Sequence, residues 1–338
     1  MQLRWRRRTW ALGAPFRAAW GTLQTRELIE LELLAGDGLR GRGEVAPLPP
    51  YDGVSLDAAE ASLAALAELI ADGDAAEREA LLDAAWASGA PACAIAGLDL
   101  ALWDLAGRRA GRSVAALLGA PAGAHVEVNA TIAAGDRAGA AAAASAAARA
   151  GYTCIKVKVG IGDDAGRLAA VRAATGRQVQ LRVDANGAWT QEPEALAALE
   201  ALAPAGLELA EEPMHGVEAL RRLRASAPVP IAMDETAADA GAWAAGATDF
   251  VCLKLSRCGG ISALLSAARA ARAAGSEVYL ASNLDGPLGV AGALHAAAAL
   301  GPLPACGLAT LELFDAPSSL PVVAGTIAVP SGPGLGLD

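Results

Sequence analysis

From residue 126 onward the chain alternates between short runs rich in Val, Ile and Leu and longer Ala-rich stretches. The runs are Val126–Ile132, Cys154–Val159, Val179–Asp184, Leu207–Glu212, Val229–Asp234, Phe250–Lys254, Glu277–Ser282 and Leu308–Leu313. Each run with its following stretch is about the length of one βα unit. Eight such units predict a parallel barrel more readily than an open sheet. An open doubly wound sheet that binds a dinucleotide would carry a Gly-rich phosphate turn after its first strand, and none is present.

The first 120 residues read differently. Leu28–Leu33 alternates in polarity, Gly36-Asp37-Gly38 is a turn signal, and a second short strand leads to Gly43-Glu44-Val45. Residues 46–53 are expected to be a loop, because proline interrupts both ladder and helix. Ser55 is placed to cap a helical region of about residues 57–119, with breaks at Gly89-Ala90-Pro91, Gly107 and Gly111. The expected division is an α+β capping unit over 1–120, a barrel over 121–316, and a Pro/Gly-rich segment, 317–338, that returns to the cap. At 338 residues with 54% hydrophobic and 19% charged side chains, the chain can bury a large core. A net charge of −10 argues against nucleic acid and anionic membrane surfaces as partners. The Arg-rich start is followed by an apolar stretch too short for a secretory leader and broken at Pro15. Five scattered cysteines without a Cys-x-x-Cys pair are expected to be reduced thiols in a cytoplasmic protein. The Ala-rich surface leads us to expect a homo-oligomer.

Chemistry enters through lysine. Of 27 Lys and Arg residues only Lys156, Lys158 and Lys254 are lysine, and all three sit in strand-like runs. Arg stays protonated, whereas Lys can lose its proton, so this usage points to proton transfer. The strand ends deliver Lys158, Asp184, Glu211, Asp234 and Lys254 at steps of 26, 27, 23 and 20 residues. In a barrel these ends meet at one mouth. Three converging carboxylates repel unless a cation lies between them. Oxygen-only donors suit a hard ion, Mg²⁺ first and Mn²⁺ as a substitute. Glu212 and Glu235 stand beside Glu211 and Asp234, so spacing alone leaves the ligand within each pair open. Such a mouth suits removal of a proton next to a small-molecule carboxylate. For either lysine to act as base its pKa must fall toward neutrality, and Lys156 beside Lys158 is one cation that would lower it. Arg182, two before Asp184 on the same face, is a candidate for a substrate carboxylate or for a supporting salt bridge to the acids themselves.

Several stretches resemble the muconate-lactonising group of the enolase superfamily. They are Ile95–Asp104, Lys156-Val157-Lys158, Val183–Trp189, Glu211-Glu212-Pro213, Asp234-Glu235, and Lys254 followed by Gly259-Gly260. The resemblance implies a modified (β/α)7β TIM barrel (class α/β) under an N-terminal α+β cap. It also implies Lys158 and Lys254 as acid/base residues, and Asp184, Glu211 and Asp234 as Mg²⁺ ligands. Lys156, Arg182, Ser282 and Asn283 become substrate-binding candidates, with Asn186 and Glu235 supporting the ligands from behind. Gly43–Pro49, Ser282–Gly289 and Ala305–Leu311 further resemble o-succinylbenzoate synthases, a lyase family of menaquinone synthesis that performs a syn dehydration. The rival resemblance is to dipeptide epimerases, whose last strand carries an Asp-x-Asp for the substrate ammonium. This chain reads Leu313-Phe314-Asp315 there, so the first Asp is missing. N-succinylamino acid racemisation and muconate cycloisomerisation use the same catalytic set, and a non-catalytic barrel binding a metal and a carboxylate is the alternative of another class. Specificity is expected from cap loops around 14–25 and 47–54, with Phe16, Trp20 and Tyr51 as lid candidates.

Overall fold

A computed structural model describes residues 1–18, 21–133 and 135–337. The chain opens with an antiparallel sheet of β1 (Gln2–Ala18), β2 (Gly21–Leu34) and β3 (Arg40–Val45). The end of β1 and the start of β2 occupy the stretch expected as a loop over 14–25, and their register slips between Ala11 and Phe16. Trp20 lies outside the described residues. Helices α1 (Pro49–Asp52), α2 (Leu56–Ile70), α3 (Arg78–Ala87), α4 (Ala92–Ala110) and α5 (Val114–Leu117) follow. The α1 turn corrects the loop expected at 46–53. Proline obstructs a helix interior but is tolerated in its first turn, where Pro49 and Pro50 sit. Ser55 does cap α2, accepting from the Ala58 amide at 3.1 Å. Gly107 does not break its helix: it lies within α4, where a Cβ would stand 2.6 Å from Gly334.

The main sheet is parallel, in the order β11-β10-β9-β8-β7-β6-β5. Its strands are β5 (Ala130–Ile132), β6 (Cys154–Lys158), β7 (Gln180–Asp184), β8 (Leu207–Glu211), β9 (Ile231–Met233), β10 (Phe250–Lys254) and β11 (Glu277–Ala281). Between them run α6 (Arg137–Arg149), α7 (Asp164–Thr175), α8 (Glu192–Leu202), α9 (Val217–Ser226), α10 (Leu255–Cys258) and α11 (Ile261–Ala273), with α12 (Pro287–Leu300) after the last. Buried Val, Ile and Leu fill the strands and the inner helix faces, which makes this the larger of two apolar cores. Three expectations fail here. The run 126–132 divides into β4 (His125–Glu127) and β5, and β4 pairs antiparallel with β13 (Thr326–Ala328), which pairs with β12 (Val322–Val323). After β9 there are only 3-10 turns at Glu235–Ala238 and Ala242–Ala244, because Gly241 and Gly246 take left-handed backbone that a helix cannot continue. Leu308–Leu313 is not a strand, and Ala309–Leu313 is a 3-10 helix. The barrel closes instead through Cys306 and Gly307. They bridge Val128 on one side and Ala281 on the other, in parallel.

The five cysteines are free. No helix among the described residues is long and apolar enough to cross a membrane.

Two buried polar ties fasten the N-terminal elements to the barrel and to the C-terminal segment. In the first, α4 presents Asp99 and Asp104. Asp99 accepts from the Ser262 amide (3.1 Å) and hydroxyl (2.7 Å) at the start of α11. Asp104, wholly buried, accepts from Arg42 N on β3 (2.8 Å), Leu335 N near the C-terminus (2.7 Å) and Arg108 Nε (2.8 Å). In the second, Glu44 on β3 accepts from Gly286 N at 2.6 Å, while Arg26 on β2 donates to the carbonyls of Pro47 (2.6 Å) and Leu284 (3.1 Å). Burial, and then the facing Asp285, push the Glu44 carboxyl up to about 8, with Arg26 opposing.

Removing Asp104 leaves three donors without their acceptor. Asp104→Ala is expected to lose about 3–5 kcal/mol, read as a lower urea midpoint at unchanged slope. For Glu44 the folded protein holds a proton that the unfolded chain releases near 4.5. Stability from this site is therefore highest below pH 4.5 and falls as the pH climbs toward 8. Urea midpoints at about pH 5 and about pH 8 should differ less in Glu44→Gln than in the parent chain. The residual slope belongs to the other carboxyls that burial raises, Asp285, Asp99, Glu211 and Glu235 among them.

Candidate active site

The parallel register sets the site. Lys158 pairs with Asp184 across β6 and β7, and Asp184 pairs with Glu211 across β7 and β8. Asp234 follows β9 directly, and Lys254 ends β10. All three acids are buried. Lys156 and Lys158 are partly buried on β6, two residues apart and on one face.

Each acid meets a lysine. Lys156 Nζ lies 3.0 Å from Asp184 Oδ2 and 2.8 Å from Glu211 Oε1. Lys158 Nζ lies 2.7 Å from Asp184 Oδ2 and 2.6 Å from Asn186 Oδ1. Lys254 Nζ lies 2.7 Å from Asp234 Oδ2 and 2.5 Å from the Tyr51 hydroxyl, which also donates to Asp234. Lys158 and Lys254 thus approach the acids from β6 and β10, on either side of β7, β8 and β9.

The electrostatics reflect burial opposed by charge. Burial alone would raise Asp184, but Lys156 and Lys158 hold it far below the usual carboxylate range. Glu211 is pushed up to about 7 by burial, with Asp184 and Asp234 adding to the push and Lys156 opposing it. Burial works against the charge on Lys156, yet Asp184 and Glu211 hold its pKa well above the ordinary lysine value. Burial works against the charge on Lys254 too, but Asp234, Cys252 and Glu235 together outweigh it and raise its pKa.

Within the acid pairs the neighbours turn away. Glu212, with φ +42, turns its buried carboxylate under the next loop. It accepts from Asp234 N at 2.7 Å, from Thr236 N at 3.0 Å and from the Thr236 hydroxyl. His215 Nδ1 meets the same carboxylate at 2.9 Å, with a side chain 57% exposed. Glu235 accepts from Asn186 Nδ2 at 2.8 Å, which links the two residues expected behind the ligands.

The donors suit a metal ion. Glu211, Asp234 and Cys252 each bring one ligand atom within 4.8 Å of the others. Among the described residues Asp234 Oδ1 is buried without a hydrogen-bond partner. Asp184, expected as the third ligand, is not in this cluster, and Cys252 brings a thiol into a set expected to be oxygen only. Its signal was available in the sequence, since it stands two before Lys254 on the same face of β10.

Ser282 and Asn283 follow β11 and line the cavity above the acids, together with Phe16, Leu48 and Tyr51 from the cap. Arg182 does not reach that cavity. It is wholly buried, bound to Glu208 at 2.6 Å and to the Ala305 carbonyl at 2.6 Å, so the substrate contact is not made and its salt bridge goes to Glu208 rather than to the acids of the mouth. Lys156 spans Asp184 and Glu211 as well as facing the cavity. The sequence reading also missed Arg257, which donates to the carbonyls of Asp234 (3.3 Å) and Glu235 (2.9 Å), and Tyr279, which donates to Glu211 Oε2 at 2.7 Å.

Residues 139–338 match the family model "Enolase C-terminal domain-like", and residues 1–119 match "Mandelate racemase / muconate lactonizing enzyme, N-terminal domain". The L-Ala-D/L-Glu epimerase of Clostridium acetobutylicum is 33% identical, over 60% of this chain and 59% of that protein. Muconate cycloisomerase 1 of Pseudomonas putida is 30% identical, over 96% of this chain and 91% of its own length. The o-succinylbenzoate synthase of Thermobifida fusca is 38% identical, over 49% of this chain and 55% of its own. Among solved structures, a dipeptide epimerase from Enterococcus faecalis complexed with Mg and the dipeptide L-Leu-L-Tyr superposes with a TM-score of 0.93 at 26% identity, covering 99% of this chain and 98% of that one.

Proposed function

The chain belongs to the enolase superfamily, and from that premise we propose that it removes the proton α to a substrate carboxylate with the help of one divalent metal ion. The observation that carries this reading is the pair of opposed lysines, Lys158 on β6 and Lys254 on β10, flanking the acids of β7, β8 and β9. Asp184, Glu211 and Asp234 would hold the ion, Mg²⁺ with Mn²⁺ able to replace it. A divalent ion there supplies a Lewis acid for the charge that develops on the substrate carboxylate. Lys158 takes the α proton as the neutral amine, and Asn186 Oδ1, 2.6 Å from its Nζ, orients it. Lys254 stays a cation on the opposite face, held between Asp234 and Tyr51. The residue boundaries 1–120, 121–316 and 317–338 for cap, barrel and returning segment belong to the same proposal.

For the substrate, the reading is the syn dehydration that yields o-succinylbenzoate. The three stretches that resemble synthases of that product come together in space. Glu44 of the first accepts from Gly286 of the second, and Ser282 N donates to the Gly307 carbonyl of the third at 3.0 Å. Leu48, Asn283 and Gly307, one from each stretch, line the same cavity as Asp184 and Asp234. In this reaction Lys158 returns its proton to the departing β-hydroxide. The place where an epimerase would hold an ammonium is lined by Thr310 and Leu313, and the Asp315 amide is turned to the Ala11 carbonyl. The second reading is dipeptide epimerisation, favoured by the epimerase relatives and their shared fold.

The deciding assay tracks the ultraviolet signal of the diene precursor of o-succinylbenzoate, with Mg²⁺ and with chelator. Loss of the diene is expected only with metal, and Lys158→Ala is expected to slow it by about 10²–10⁴-fold. A stable diene, with solvent deuterium entering a panel of dipeptides instead, would transfer the chain to the second reading. Lys158→Arg separates catalysis from mere binding, since it keeps the charge and loses the base.

A further inference from the structure

Glu211 is wholly buried, and its two oxygens have different partners. Oε1 faces Lys156 at 2.8 Å. Oε2 accepts from the Tyr279 hydroxyl at 2.7 Å. Tyr279 belongs to β11, three strands further round the sheet, and reaches Glu211 across the barrel interior with 1% of its surface exposed. A buried carboxylate oxygen without a donor is costly, so this contact fixes the carboxylate as well as satisfying it.

The tyrosine is fixed in turn. The Arg182 guanidinium stands 4.8 Å from the centre of its ring. Arg182 cannot drift, because Glu208 holds Nε and Nη2 at 2.6 and 3.2 Å and the Ala305 carbonyl holds Nη1 at 2.6 Å. A cation over the ring withdraws electron density and strengthens the phenol as a donor. Arg182, Tyr279 and Glu211 therefore form one string from beneath the mouth up to it.

We propose that Tyr279 is the positioning residue for Glu211, occupying Oε2 so that Oε1 is the oxygen offered to the metal, with Arg182 as the backstop of the ring. This rests on the reading of Glu211 as a metal ligand. Groups that orient a ligand without touching the ion typically contribute about 10–100-fold to metal affinity.

The test is Mn²⁺ binding to the full chain, by calorimetry and by electron paramagnetic resonance of the free ion, for the parent, Tyr279→Phe and Glu211→Gln. Expected are tight binding in the parent, loss in Glu211→Gln, and affinity about 10–100-fold weaker in Tyr279→Phe with its circular dichroism unchanged. If Glu211→Gln loses the ion while Tyr279→Phe binds within about twofold of the parent, the positioning role falls and the metal site stands. If Glu211→Gln binds like the parent, the ligand reading falls and this inference with it. Should Tyr279→Phe fail to fold, 3-fluorotyrosine placed at 279 gives the answer. Its fluorine resonance must move when Mg²⁺ is added, and a resonance that stays put overturns the proposal.

Discussion

Three carboxylates in one buried mouth repel one another, and the surrounding structure answers that repulsion. At short range in a poorly solvated site the cost of like charges is several kcal/mol, far above the value of a surface ion pair. The chain meets it by placing its three lysines on the two strands that bracket the acids. Lys156 and Lys158 share Asp184, Lys156 reaches on to Glu211, and Lys254 takes Asp234. Remote elements are recruited to the same end. Glu212 braces the Asp234 loop through two amides, and Arg257 fastens the carbonyls of Asp234 and Glu235. The cap contributes Tyr51, whose hydroxyl lies between Lys254 and Asp234. Charge compensation thus couples the cap to the barrel as directly as apolar packing does.

Much of this was legible in the sequence because parallel barrels write their geometry periodically. A strand end recurring every 20–27 residues puts Asp184, Glu211 and Asp234 at one level without any knowledge of packing. Scarcity of lysine marked Lys156, Lys158 and Lys254 for the same reason. What stayed hidden depends on side-chain direction across the interior. Arg182 shares a strand face with Asp184 but sits one layer lower, where Glu208 and Tyr279 claim it. Tyr279 looks like one more apolar strand residue until the strand opposite is known. The turn at Pro49–Asp52 was hidden by the general rule against proline in helices, which exempts the first turn. The missing eighth strand was hidden because Ala309–Leu313 carries strand-like residues while its backbone winds as a 3-10 helix.

The cap does more than cover the mouth. Arg26 and Glu44 fasten β2 and β3 to the 283–286 loop, so the cap and the wall of the cavity are anchored at the same place. Phe16, Leu48 and Tyr51 are then carried over the mouth by elements already fixed at their base. Asp104 does the same for the end of the chain, through Leu335.

The barrel wall is a hoop of unequal strength. Four junctions meet over three to five paired residues and β9 meets β8 and β10 over two each, whereas among the described residues Cys306 and Gly307 join β11 to residue 128 through a single bridge on each side. A joint that short yields before the longer ladders do. In the strand order it lies diametrically opposite β8, the middle of the acid-bearing arc. The hoop can therefore widen or be rebuilt at its joint while the ladders hold Asp184 and Glu211 in register and Glu212 and Arg257 hold Asp234 beside them. Ser282, Gly307 and Thr310 line the cavity beside that joint. Mechanical compliance and a fixed arrangement of charge are thus assigned to opposite sides of one ring, and the shape of the cavity can drift over many sequence changes without disturbing the acids across from it.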